Sequence, residues 1–351
     1  MPIDVLIVGQ GLAGSLLAWE MMRQQFRVMV VDTGGENASQ VAAGLINPVT
    51  GQRLVKSVGV DELLPAAIEC YRELAAAFNQ SFFVPLPMLR IFKNPREREV
   101  ARQRLLDPQY QAYLQNRDTD VAGINSPFGL LEQRQTGYLR TRPLLDALRE
   151  YLVANGSYRH TRLDYAEIEM RPCLQWRDLS PRHIVFCEGH LGSGNPWFGR
   201  LPFQPAKGEI LSCRSMAECP RQILNFGRWL IPNDERHFRI GATFEPGIID
   251  TRPTEAAREH LLQALSALSP DLRQVEVLDH QAGIRPATLD KQPFIGSHPR
   301  YPQLHIFNGF GAKGSLAIPW HARRLVAALK QHVPLPLHCH IQRYDETYFP
   351  V

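Results

Sequence analysis

Residues 4–14 read Asp4-Val-Leu-Ile-Val8-Gly9-Gln10-Gly11-Leu12-Ala13-Gly14, and this stretch decides the fold. A β-branched run enters a glycine turn, after which Leu16, Leu17, Trp19, Met21 and Met22 recur at helical spacing. A second strand-like run, Phe26 to Val31, ends in Asp32 and completes a dinucleotide-binding unit. Gly9 permits the tight turn, Gly11 the approach of backbone N–H groups to a pyrophosphate, and Gly14 the close packing of helix on strand. Asp32 follows Gly14 by 18 residues, where such units place the acid that binds a ribose hydroxyl. A carboxylate there repels a 2′-phosphate, which points to FAD or NAD rather than NADP.

The chain has 351 residues, enough for two domains or for one large fold with a second module built into it. Hydrophobic residues make up 44% and charged residues 21%, and no apolar run approaches the ~18 residues that a membrane span needs. Met1-Pro2-Ile3-Asp4 shows no basic, apolar leader, so a cytoplasmic address is expected. Cys70, Cys173, Cys187, Cys213, Cys219 and Cys339 form no C-x-x-C pair and are expected to be reduced. A net charge of +4 is too mild to imply a nucleic-acid partner. Of the 39 basic residues 33 are arginines, whose planar forks suit anionic ligands.

Beyond Asp32, the small-residue stretch from Thr33 to Gly44 runs into Leu45-Ile46-Asn47-Pro48-Val49-Thr50-Gly51-Gln52-Arg53, which reads as a loop lying against a ligand. Helical spacing covers residues 60–79, Pro85, Pro87 and Pro95 surround a strand-like Met88 to Phe92, and Arg96 to Arg104 reads as a solvated helix. Arg142 to Val153 is amphipathic, and Ile184 to Cys187, ending in Glu188-Gly189, reads as a strand returning to the first unit. Gly208 to Cys213, Trp229 to Pro232 and Phe238 to Phe244 form an antiparallel pattern, and a helix is predicted over 254–268. The expected fold class is α/β: a Rossmann-like domain from residues 1–84, 141–200 and 281–351, with an inserted α+β substrate domain from 85–140 and 201–280 built on a mixed, antiparallel-type sheet.

Near the C-terminus, Ala282-Gly-Ile-Arg285-Pro-Ala-Thr-Leu-Asp290-Lys-Gln-Pro-Phe-Ile-Gly296 precedes Ile306-Phe-Asn-Gly309-Phe-Gly311-Ala312-Lys313-Gly314-Ser315-Leu316-Ala-Ile-Pro319. The second piece is a strand ending in a glycine-rich turn that opens a helix over 315–329, so its N–H groups and helix dipole favour negative charge. His338-Cys339-His340 offers too few ligands for zinc, no metal is expected, and the segment reads as a terminal strand.

Five blocks taken together resemble the FAD-dependent family of D-amino-acid, glycine and sarcosine oxidases over nearly the whole length. They are Gly9 to Gly14 with Asp32; Ala42-Ala43-Gly44-Leu45; Pro205-Ala206-Lys207-Gly208-Glu209; Trp229 to Pro232 with Ile240 to Thr243; and the C-terminal pair. The resemblance implies an FAD held without a covalent link by Gly9, Gly11, Leu12, Ala13, Gly14, Asp32, Thr33, Ala43, Gly44, Leu45, Glu188, Gly189, Gly309, Gly311, Ala312, Lys313, Gly314, Ser315 and Leu316. It implies that Arg285 forks a substrate carboxylate, the alternative being a pair with Asp290, and that Lys313 adds positive charge beside the flavin. Asn47, Arg53 and Trp229 are further candidates to face the substrate. Glycine oxidases carry a second arginine where Ala312 and Lys313 stand here, a departure that bears on glycine itself as substrate.

The activity implied is oxidation of the C–N bond of an amino acid or N-substituted amino acid, with hydride passing to flavin N5, hydrolysis of the imine, and reoxidation by O2, giving H2O2, or by an electron carrier. Two alternatives follow from the same residues. One is a tRNA-modifying oxidoreductase acting on a carboxymethylaminomethyl-uridine; the other is a flavin-binding protein without turnover.

Overall fold

A computed structural model describes residues 2–117 and 121–349. Its first sheet has six strands in the order Tyr158–His160, Val28–Asp32, Pro2–Val8, Ser180–Phe186, Leu304–Asn308 and Phe294–Ser297. The first five are parallel, and Phe294–Ser297 turns back antiparallel at the edge. Val5, Leu6, Ile7, Val30, Ile184 and Val185 are wholly buried because helices cover one face and a cluster around Trp176, Phe186 and Phe198 covers the other. Such two-sided burial explains the continuous apolar runs in these strands.

The helices Leu12–Arg23 and Gly314–Gln331 follow the two glycine turns and pack on each other, with Val60–Phe78 against the second of them. Parallel strands place all their C-terminal ends at one edge, so Gly9, Cys187 to Gly189 and Asn308 to Gly309 meet there.

The second sheet, of nine strands, is antiparallel except where Met88–Ile91 runs beside Ile223–Asn225. Leu211, Leu230, Phe238 and Ile240 on one face bury against Leu261, Leu265 and Leu268 of the helix Glu255–Leu268. On the opposite face Met88, Ile223 and Ile231 pack with Ala43 and Tyr138, which brings this sheet against the small-residue segment of the first unit.

Several expectations need correction. The segment from Leu45 to Arg53 is not simply a loop: Leu45–Ile46 pairs with Gly137–Leu139, and Val49–Thr50 forms a short hairpin with Val55–Lys56. Its turn residues masked two short apolar or β-branched pairs, Leu45–Ile46 and Val49–Thr50, whose partners lie far away or just beyond. The expected terminal strand at His338 to His340 is a turn after Pro334 and Pro336, touching the sheet through a single bridge from His340 to Ile295 and continuing as a short 3-10 helix, Ile341–Arg343. The strand Val275–Arg285 starts well before the residues that drew attention to it, and it pairs along the whole of Ala206–Ser215.

Candidate active site

The first glycine turn is shaped by contacts that leave no room for a side chain. A Cβ on Gly14 stands 1.9 Å from the Gly9 carbonyl oxygen, and Gly9, at φ +101°, lies against the Cys187 carbonyl. Above Gly11 the space is open, with only the Ser39 hydroxyl 3.4 Å from a Cβ position. The N-cap residue, Gly11, has no side chain to cap this helix, so apart from the Leu12 amide its first-turn N–H groups and dipole end are available to an anion. The Leu12 amide donates to Ser39 Oγ at 3.0 Å. Ser39 escaped the sequence reading, although Asn37 and Gln40 form the capping box that orients its short helix.

Asp32 accepts from the Gln10 amide at 2.8 Å and from the Gly34 amide at 2.6 Å. The carboxylate is thereby fixed beside the turn, with lone pairs left for ribose hydroxyls. Thr33 uses its carbonyl to accept from His160 Nε2. Glu188 also borders Gly9, but its carboxylate accepts from Tyr165 at 2.5 Å and from Asn195 at 2.9 Å. Burial pushes the Glu188 carboxyl above its usual range, against the lowering effect of those two donors.

The second turn is bound to the same edge. Asn308 donates to the Gly189 carbonyl at 2.8 Å, Gly311 N–H donates to the Pro286 carbonyl at 3.1 Å, and a Gly314 Cβ position lies 3.8 Å from Leu12. Tyr71, buried, donates to the Ser315 carbonyl at 2.5 Å. Ala312 and Lys313 face outward; desolvation, then the Lys291 charge, hold the Lys313 ammonium below its ordinary pKa. Asp32, the first turn, Gly189, the second turn and Pro286 thus form one continuous rim.

Arg285 ends its strand at that rim. Its guanidinium donates to the Lys207 and Thr243 carbonyls, each at 3.2 Å, and lies across Gly208, where a Cβ would stand 2.1 Å from it. The pair with Asp290 does not form: Asp290 accepts from Arg343 at 2.7 Å and from Tyr344 at 2.9 Å. Desolvation lowers the Arg285 pKa, with no acid among the described residues to offset it. Gly283, two residues earlier on the same strand face, meets Ala38 and Val41, so this face turns toward the small-residue segment.

Arg239, which the sequence reading passed over, also lacks a carboxylate; it donates to the Ala42 and Ala43 carbonyls and lies over the Tyr138 ring. It fastens that segment to the second sheet. Lys207, fully buried, ties Asp250 at 3.0 Å and Glu209 at 3.4 Å on the far side of the strand whose carbonyl receives Arg285. Trp229 covers Gly241, its Cζ2 only 2.6 Å from a Cβ position there. The Asn47 amide donates to Gln133 at 3.3 Å and its oxygen accepts from the Val49 amide, so it braces the hairpin. Arg53 is exposed, and its carbonyl accepts from Arg104. Neither joins the Arg285 group.

A parallel sheet carrying a glycine turn and a fixed acid, with a second sheet closing over it and an unpaired arginine between them, defines a dinucleotide-dependent enzyme of two-sheet architecture. Residues 4–329 match the DAO family, described as FAD dependent oxidoreductase, and the chain belongs to that family. It is 25% identical to a glycine oxidase of Pseudomonas aeruginosa, over 94% of this chain and 96% of that protein. It is 26% identical to the tRNA 5-methylaminomethyl-2-thiouridine biosynthesis bifunctional protein MnmC of Methylibium petroleiphilum, covering 95% of this chain but 58% of that one. The glycine oxidase structure from Geobacillus kaustophilus shares the fold, with a TM-score of 0.78 at 21% identity over 95% of this chain and 96% of that one. The open space over Gly11, the glycine at the helix N-cap and the anchored Asp32 fit the FAD that the family uses. No helix among the described residues is long and apolar enough to cross a membrane.

Proposed function

We propose that this FAD-dependent oxidoreductase oxidises the C–N bond of an amino acid or N-substituted amino acid, and that Arg285 binds the substrate carboxylate. The observation that carries this reading is a desolvated guanidinium with two carbonyl contacts and no carboxylate partner, on the rim shared by both glycine turns. A bound carboxylate supplies the missing charge and forms charge-assisted, fork-type hydrogen bonds. When bound, FAD would supply the acceptor for the hydride from Cα, which carries both electrons of the oxidation, while the amine nitrogen gives up a proton to solvent; water then hydrolyses the resulting imine to the carbonyl product and the amine. The protein's part is positional: Arg285 fixes the carboxylate so that Cα–H points at the acceptor. Amides left without a side-chain cap at the start of Gly314–Gln331 would favour negative charge on a flavin held there. Noncovalent FAD and reoxidation by O2, giving H2O2, belong to the same proposal.

Anaerobic addition of glycine, sarcosine, D-proline or other D-amino acids to the holoprotein is the test, with bleaching of the oxidised flavin band as the readout. Arg285→Lys should keep the flavin and raise KM about 30- to 1000-fold, equivalent to about 2–4 kcal/mol. Unchanged KM on a substrate that bleaches the flavin would place the carboxylate elsewhere. A flavin that none of these compounds reduces would favour the alternative of a tRNA-borne carboxymethylaminomethyl-uridine; one relative is named for tRNA 5-methylaminomethyl-2-thiouridine biosynthesis.

A further inference from the structure

The sequence offers His338 and Cys339 as two ligands close together, and the fold supplies a third from elsewhere. His321 lies on the helix Gly314–Gln331, and its ring, Cys339 Sγ and the His338 ring present ligand atoms that all lie within 4.8 Å of one another. His321 is 3% exposed, and its Nδ1 lies 2.8 Å from the Ala317 carbonyl. A carbonyl only accepts, so Nδ1 carries the proton and Nε2 presents its lone pair. That Nε2 is buried and has no hydrogen-bond partner among the described residues. A histidine held by a backbone carbonyl through one nitrogen, with the other buried, unpartnered and on a ring that neighbours a thiol and a second imidazole, is the arrangement found around bound metal ions.

We propose that His321, His338 and Cys339 bind one thiophilic divalent cation of the zinc type, with water in the fourth position, pinning the C-terminal segment to the helix that follows the second glycine turn. Two imidazoles and a thiolate suit zinc better than the hard cations, which prefer oxygen. Bonds of about 2.0–2.3 Å require the ligand atoms to close by about 1 Å. His338 provides that movement, because it sits exposed on a turn whereas His321 and Cys339 are fixed in the interior. Binding releases the thiol proton, now given to the Pro336 carbonyl at 3.2 Å, and gives the otherwise unsatisfied His321 nitrogen its partner. His340 is not a ligand: its Nδ1 accepts from the Gln342 amide. His321 also stacks edge-on against Phe310 of the second glycine turn, with ring centroids 5.8 Å apart, so the ion would sit directly behind that turn.

The test is titration of the FAD-loaded chain with Zn2+ against a chromophoric chelator, followed by melting with and without the ion and by X-ray absorption at the zinc edge. One equivalent should bind through one sulfur and two imidazole nitrogens, and raise Tm. His338→Ala, an exposed change that leaves the interior intact, and Cys339→Ser should each weaken binding about 100-fold or more and abolish the rise in Tm, while His340→Ala should bind as the parent does. Failure to bind an equivalent, a zinc environment without sulfur, or equal binding by His338→Ala would overturn the assignment. Should Cys339→Ser fail to fold, His338→Ala alone still decides.

Discussion

At the Gly9–Gly14 turn the decisive contact lies within the turn itself, Gly14 against the Gly9 carbonyl, whereas the Gly309–Gly314 turn is held from a distance by Gly189, Pro286 and Leu12. Both turns open helices at the same edge of one sheet. The first is a steric object, specified by which residues lack a Cβ. The second is an assembled object, specified by hydrogen bonds from Asn308 and Gly311 to the Gly189 and Pro286 carbonyls, which lie outside the turn itself. Local steric requirements leave a readable pattern in the sequence, while assembly leaves glycines that look permissive until their partners are known.

The sharpest break of this contrast lies inside the first turn. Gly14→Ala puts a methyl 1.9 Å from a backbone oxygen that cannot yield, and should destabilise the protein on the order of 3–5 kcal/mol, with little folded material recovered. Gly11→Ala meets only the Ser39 hydroxyl at 3.4 Å; it should fold normally and lose FAD affinity tenfold or more, because the methyl occupies the pyrophosphate's approach. Apoprotein Tm and flavin content separate the two effects. A Gly14→Ala protein with normal Tm and full flavin would refute the steric account.

A second contrast lies beneath the turns. The first is fed by Val5, Leu6, Ile7 and Val8, the second by Leu304–Asn308, which includes His305 at 1% exposure. Burial, then the neighbouring His183, push the His305 pKa down to about 3. His183 Nδ1 lies 2.9 Å from His305 Nε2, and Ser297 Oγ lies 2.9 Å from His305 Nδ1. Between about pH 6.5 and 3 the unfolded chain therefore binds a proton that the folded chain refuses, so stability is full above this window and lost as pH falls through it. The slope from this group approaches ~1.4 kcal/mol per pH unit. Urea unfolding at a series of pH values should show it, and His305→Gln should flatten it by about one proton; an unaltered slope would assign the acid lability elsewhere.

The same distinction governs what was legible in the sequence. Strand, turn and helix over residues 4–23, the strand ending in Asp32 and the helix Val60–Phe78 follow from patterns within a short window, and the structure has them. Leu45–Ile46 was not legible, because only its pairing with Gly137–Leu139 makes it a strand. Most of Val275–Arg285 before Ala282 is partly or fully exposed, so no apolar alternation announced it; its long partner Ala206–Ser215 defines it. Arg285 could be singled out by resemblance, yet the reason for Gly208 in a separate block appears only when the guanidinium is seen lying across it. Arg239 carries no signal within its strand, since only its contacts with the Ala42 and Ala43 carbonyls give it a role, and the convergence of His321 on Cys339 depends on a chain reversal that spacing does not encode.

The smallest effect tests whether the second turn is as permissive as its open space suggests. Gly311 has φ +54°, where an alanine costs about 1 kcal/mol, and a Cβ there meets nothing nearer than Ala287 at 3.8 Å. Gly309, at φ +80°, is tighter, its Cβ position 2.7 Å from the Thr288 methyl, and alanine there should cost more. Neither substitution removes the bond from Gly311 N–H to Pro286 or that from Asn308 to Gly189, so the turn should keep its place. Gly311→Ala is expected to lower Tm by about 2 °C and to retain FAD. If FAD were lost while Tm held, the space above Gly311 would be filled by the flavin itself. The two turns would then be alike in function at Gly11 and Gly311, and different only in how the chain holds them there.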